Sequence, residues 1–151
     1  MIETQNLVVK VTRRIGAEPN EVFDAWLDPD GMRVWMCPGD ARFVAAEVEP
    51  RVGGRFRIVM GREPGGVEHT GEYRELHRGR RLVFTWISEN TFGRETLVTI
   101  ELRPIGDETE VTLTHEGLPN EEQRKGHEGG WRSIVDKLAL AIAEQEGHPA
   151  V

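Results

Sequence analysis

The side chains able to move a proton are few. His69, Tyr73 and His115 stand in stretches that alternate apolar and polar residues. His115 follows Val111 and Leu113 at two-residue spacing, so it faces the interior with them. His69 and Tyr73 share one strand face by the same parity. A buried imidazole that titrates near neutrality could act as a general base. His69, Tyr73 and His115 are therefore the catalytic candidates, and the plainer reading is a satisfied polar group at a strand end. Glu72 and Arg57 lie on the opposite parity and would turn inward only if the register slipped by one residue.

Other chemistry finds less support. His115-Glu116 and His127-Glu128 invite a metal, but their spacing fits no zinc pattern, and Cys37 is distant in sequence. Gly53-Gly54, Gly65-Gly66 and Gly129-Gly130 lead into no Lys-Ser or Lys-Thr, as a phosphate loop would. No Gly-x-Ser-x-Gly elbow or Cys–His signature occurs. We expect no metal and no cofactor, and a binding protein ahead of an enzyme.

These residues need elements to hold them. Residues 7–14 alternate as a half-buried strand. Pro19 opens a short helix at its first turn, where a missing N–H costs nothing. Val22, Phe23, Trp26 and Leu27 share a face of that helix, and Asp28-Pro29 ends it. A second short helix carries Met32, Trp35 and Met36 on one side, and Cys37-Pro38-Gly39-Asp40 breaks it. Six strands follow, at about 43–49, 55–62, 67–77, 82–88, 95–102 and 110–115, with Gly-rich turns between them. Short connections imply antiparallel pairing. A polar connector then runs to Gly129-Gly130, which release the chain into a final amphipathic helix led by Trp131. Ile134, Val135, Leu138, Ala141 and Ile142 continue its stripe, while Leu140 lies opposite. Residues 147–151 read as a loose tail.

The expected architecture is α+β: a curved antiparallel sheet closing on a long C-terminal helix, with two short helices after the first strand. A cavity between sheet and helix is a site for a small hydrophobic ligand. Trp26, Trp35, Trp86 and Trp131 fall on inward positions, where aromatic faces could stack on a flat ligand. Phe56, Ile58, Met60 and Phe84 share that parity, as do Val98, Ile100 and Leu113. Val135 and Leu138 complete the expected lining from the helix, with Tyr73 and His115 as its polar members. Core packing is the plainer reading of the four tryptophans, and for the other positions core and lining are equally open.

Composition narrows the rest. A length of 151 residues suits one domain, with a core over about 7–145. The formal charge of -7 opposes binding to nucleic acid or an anionic membrane. One cysteine excludes an internal disulfide. We read no signal peptide and no membrane span, and expect a cytoplasmic monomer or homodimer. Arginines crowd residues 51–81 and carboxylates residues 101–128. That asymmetry fits solvated strand faces, or a bipolar surface that docks on a partner.

Four segments together resemble a known family. They are AEPNEVFDAW at 17–26 with Asp28-Pro29 and Trp35, EPRVGGRF at 49–56, GEY at 71–73 with RLVFTW at 81–86, and TLTHEG at 112–117 with Gly126-His127 and Gly130-Trp131. In order and spacing they are similar to the helix-grip superfamily of START and birch-pollen-allergen-like domains, often called SRPBCC. Within it they resemble the homologues of the activator of heat-shock-protein-90 ATPase, the Aha-type domains. The resemblance implies a helix-grip fold of about seven strands, with a mostly apolar internal cavity. It further implies lipid, aromatic or polyketide-like ligands. A chaperone partner in the stress response, and cyclase or hydrolase activity, are its alternatives. Fold alone does not choose among these.

Overall fold

The fold is that of a computed structural model, which describes residues 7–145. The tail expected at 147–151 lies outside the described residues. The elements are β1 (Val8–Ile15), α1 (Pro19–Ala25), α2 (Pro29–Trp35), β2 (Arg42–Val48), β3 (Arg55–Gly61), β4 (Val67–His77), β5 (Arg81–Trp86), β6 (Thr96–Ile105), β7 (Glu108–Glu116) and α3 (Glu121–Gln145). The strands form one seven-stranded sheet in the order β1-β7-β6-β5-β4-β3-β2. Every neighbouring pair is antiparallel. This is the α+β helix-grip architecture.

The sheet curls because two strands are irregular. β2 shifts register between Phe43 and Ala45, and β4 between Tyr73 and Glu75. Such irregularities bend a strand and raise its local twist. β4 serves both halves of the sheet: 67–72 pair with β3 and 73–77 pair with β5. Gly71 sits at that change of partner. A Cβ there would overlap the Thr85 carbonyl and the Phe56 ring, so only glycine fits.

The concave face holds the core. Val9, Val98, Ile100, Leu113 and Leu138 are fully buried between the sheet and α3. α1 and α2 close one end with Val22, Phe23, Met32 and Trp35. Pro19 and Pro29 each stand at a helix start, and the Asp28 carboxylate caps α2 by accepting from the Asp30 amide at 3.1 Å. Leu140 is exposed, as its position opposite the stripe requires.

One expectation is corrected. The stretch before Trp131 is not a connector: α3 begins ten residues earlier, at Glu121, and runs through Gly126, Gly129 and Gly130 without a break. The Asn120 side chain caps it by accepting from the Gln123 amide at 2.8 Å. Glu121 and Glu122 lie in the first turn, where the helix dipole favours negative charge. Arg124 adds a 2.6 Å bond to Glu121. These end effects, together with burial of Trp131 and Ile134 further on, outweigh a glycine cost of about 1 kcal/mol per residue.

The arginine-rich stretch is interleaved with carboxylates. Arg57 pairs with Glu68 across β3 and β4, Arg81 with Glu75 and Glu101, and Arg78 with Asp24 on α1. The outer face is therefore laced with exposed ion pairs. Its charges balance locally, as solvated strand faces do.

Candidate functional site

β3, β4 and β5 deliver Met60, His69 and Trp86 to the concave face at the end where α3 begins. The added turns of α3 lie over that end and bring Gln123, Gly126, His127, Gly130, Trp131 and Ile134 opposite them. Asn90, in the turn after β5, and Pro38, in the loop after α2, complete the wall. The space between these residues is about 250 Å³ and opens to the surface. Between Pro38 and the glycine side of α3 it continues into an outer groove, which Gly129, Ser133 and Lys125 also line.

The Pro38 loop is fastened to α3. Lys137 Nζ donates to the Cys37 carbonyl at 2.6 Å and to the Gly39 carbonyl at 2.7 Å. The Gly39 amide donates to Ser133 Oγ at 2.7 Å. One turn of helix thus positions one side of the pocket mouth.

Aromatic rings form the inner wall. Trp86 and Trp131 have centroids 5.0 Å apart, and His69 lies 4.9 Å from Trp86 at 34°. The indole Nε1–H groups of Trp26 and Trp86 are buried with no acceptor among the described residues.

Behind Trp131 runs a hydrogen-bond chain. Trp131 Nε1–H donates to His115 Nδ1 at 3.0 Å, and His115 Nε2 lies 2.7 Å from Thr96 Oγ1. Thr96 Oγ1 in turn donates to the Trp86 carbonyl at 2.5 Å. An indole can only donate, so His115 Nδ1 must carry a lone pair. The proton is then on Nε2, directed at Thr96. Both ring nitrogens are occupied, which leaves His115 neither a metal ligand nor a free base in this arrangement.

The other two imidazoles are fixed from outside. His127 Nδ1 lies 2.7 Å from the Gln123 carbonyl and His69 Nδ1 lies 3.3 Å from the Ile58 carbonyl. A carbonyl only accepts, so each Nδ1 carries its proton. Burial drives all three histidines toward the neutral form. His69 falls to about 4 against a partial lift from the Ile58 carbonyl, and His115 falls to about 3 with His127 nearby. His127 is lowered by burial, opposed by its bond to Gln123. At neutral pH these imidazoles add no charge to the pocket.

The expected site residues divide among four places. Met60, His69, Trp86 and Trp131 line the pocket. Trp26, Phe56, Ile58, Tyr73 and Phe84, with the far side of Trp86, surround a separate void of about 10 Å³, room for about one water. Burial there pushes the Tyr73 phenol up. Val98, Ile100, Leu113 and Val135 are buried core residues that line neither space. Trp35 and Leu138 border a polar groove beside α1. His69, Tyr73 and His115 are therefore not assembled into one site. Sequence reasoning missed Pro38, Asn90, Gln123, Gly126, Gly130 and Ile134 as pocket residues and considered His127 only as a metal ligand. Asn120 followed by two glutamates and Gln123 was the signal of an earlier helix start. No cluster of histidine, cysteine and carboxylate ligands suited to a metal occurs among the described residues. No helix among them is long and apolar enough to cross a membrane.

The family model described as Activator of Hsp90 ATPase homolog 1-like protein matches residues 16–143, from the loop after β1 to the last turn of α3. The chain belongs to that family. Three solved structures show the breadth of this Activator of Hsp90 ATPase homolog 1-like fold. Protein CV1439 from Chromobacterium violaceum superposes with a TM-score of 0.78 at 24% identity, covering 89% of this chain and 95% of that one. Mll3558 from Rhizobium loti gives 0.73 at 26%, covering 91% and 97%. DynU16, a putative protein in the dynemicin biosynthetic locus, gives 0.71 at 21%, covering 96% of this chain and 49% of that one. No curated protein matches the chain.

Proposed function

We propose that this domain binds a small apolar ligand, lipid-like or aromatic, in the pocket between α3 and the β3–β5 end of the sheet. One observation carries the reading. α3 keeps Gly126, Gly129 and Gly130 in its interior, all on the pocket or its mouth. A Cβ at Gly126 or Gly129 would meet nothing within 4 Å, and one at Gly130 would make ordinary contact with Pro38 at 3.7 Å. Neither packing nor a left-handed backbone asks for glycine there. Each costs the helix about 1 kcal/mol relative to alanine. Bare backbone beside a pocket is what close approach of a ligand uses.

The pocket's scale and lining support this. An apolar cavity of about 150 Å³ accepts benzene, so 250 Å³ accommodates about two fused rings. Trp86 and Trp131 supply flat apolar walls. The neutral state of His69 and His127 keeps the interior compatible with an uncharged guest.

A thermal-shift panel of fatty acids, aromatic acids and polyketide-like compounds tests the reading. A ligand that binds only the folded state raises Tm by mass action. The expected result is stabilisation by a subset of the panel that is lost in Gly130→Leu, which narrows the gap to Pro38. No shift from any compound, or a shift that Gly130→Leu leaves intact, contradicts the site.

A further inference from the structure

We infer that the preferred ligand is a two-ring aromatic bearing a neutral hydroxyl, which donates to His127 Nε2 while the rings lie against Trp86 and Trp131. The inference rests on the pocket reading above and adds the ligand's chemical class. The Gln123 carbonyl takes the Nδ1 proton of His127, so Nε2 presents a lone pair. That nitrogen has no hydrogen-bond partner among the described residues. A hydroxyl answers that lone pair by donating its hydrogen, and it carries no charge into the pocket. A carboxylate only accepts, and no lysine or arginine lines the pocket to offset its charge. A plain hydrocarbon leaves the imidazole unpaired. Asn90 and Gln123 contribute amides that can donate or accept, so the discrimination falls to His127.

Three probes of matched size separate the possibilities: 2-naphthol, naphthalene and 2-naphthoate, titrated by tryptophan fluorescence at about pH 7.5, where a phenol is neutral. We expect 2-naphthol to bind about tenfold more tightly than naphthalene, the increment of one well-made hydrogen bond. 2-Naphthoate should bind no better than naphthalene. His127→Phe should erase the tenfold preference, read as the ratio of the variant's own 2-naphthol and naphthalene affinities, and its far-UV circular dichroism and melting curve check separately that it is folded. Equal affinity for 2-naphthol and naphthalene, tightest binding of 2-naphthoate, or an undiminished preference in His127→Phe would overturn the inference and leave the apolar pocket standing. Failure of all three probes to bind would overturn the pocket reading as well.

Discussion

Trp131 Nε1–H is 3.0 Å from His115 Nδ1, and this bond sets both the tautomer of the histidine and the pose of the indole that walls the pocket. α3 and β7 meet through it. The chain continues through Thr96 to the Trp86 carbonyl, so the two pocket tryptophans are tied to one buried imidazole.

Removing that imidazole should be costly. His115→Phe fills similar space and strands the Trp131 N–H, and it removes a donor from Thr96 Oγ1. An unsatisfied buried group costs about 1–3 kcal/mol, and a domain of this size loses roughly 2–4 °C of Tm per kcal/mol. Thermal unfolding of the variant should show a fall of about 5 °C or more. An unchanged Tm would mean that the bond contributes nothing.

The same burial makes the fold acid-sensitive well above the carboxylate range. Unfolded histidines take up protons near 6.5, whereas folded His69 and His115 wait until about 4 and about 3. Their pKa values are lower in the folded state, so stability is full above about pH 6.5 and declines as pH falls below it. By pH 5 the two together should remove about 4 kcal/mol, following the linkage relation. Denaturant midpoints measured from pH 7.5 to 5 should fall steadily, and His69→Phe should flatten part of that slope. A flat profile would show that these imidazoles protonate freely in the native state.

Glycine substitutions should have opposite effects at two places. Gly126→Ala and Gly129→Ala meet open space and should each stabilise α3 by about 0.5–1 kcal/mol. Gly71→Ala places a methyl against the Thr85 carbonyl and the Phe56 ring and should cost about 1–3 kcal/mol. Urea unfolding of the three variants checks the signs. Loss of stability in Gly126→Ala would point to a packing role for that glycine.

Lys137 should act on binding through the loop it holds. Lys137→Met frees the Cys37 and Gly39 carbonyls and loosens Pro38 at the pocket mouth. Amide exchange at Gly39 should quicken, and ligand dissociation should speed up several-fold with little change in Tm. Unaltered exchange at Gly39 would show that the Ser133 contact alone fixes the loop.

Much of the fold was legible because its signals are local. Alternation placed β4 at 67–77, and Pro19 and Asp28-Pro29 marked the two short helices. Inward parity placed Val98, Ile100, Leu113 and His115 in the interior correctly. What parity cannot show is which interior positions touch empty space. Met60 and Ile58 share one strand face, yet only Met60 borders the pocket and Ile58 borders the smaller void. That difference depends on where α3 begins, and its start was obscured by three glycines whose intrinsic preference opposes a helix. A strong Asn120 cap and tertiary burial prevailed over that preference. The reassigned turns carry Gln123, Gly126, His127 and Gly130, so one misplaced boundary hid a whole side of the pocket.

The most direct test of the account is a two-dimensional NMR titration of the four indole Nε1–H resonances with naphthalene, assigned by single Trp→Phe variants. The Trp86 and Trp131 signals should move together and saturate, while Trp35, on the α1 side of the fold, stays in place. Movement of Trp35 alone, or no saturable movement at any indole, would contradict a ligand site between α3 and the sheet.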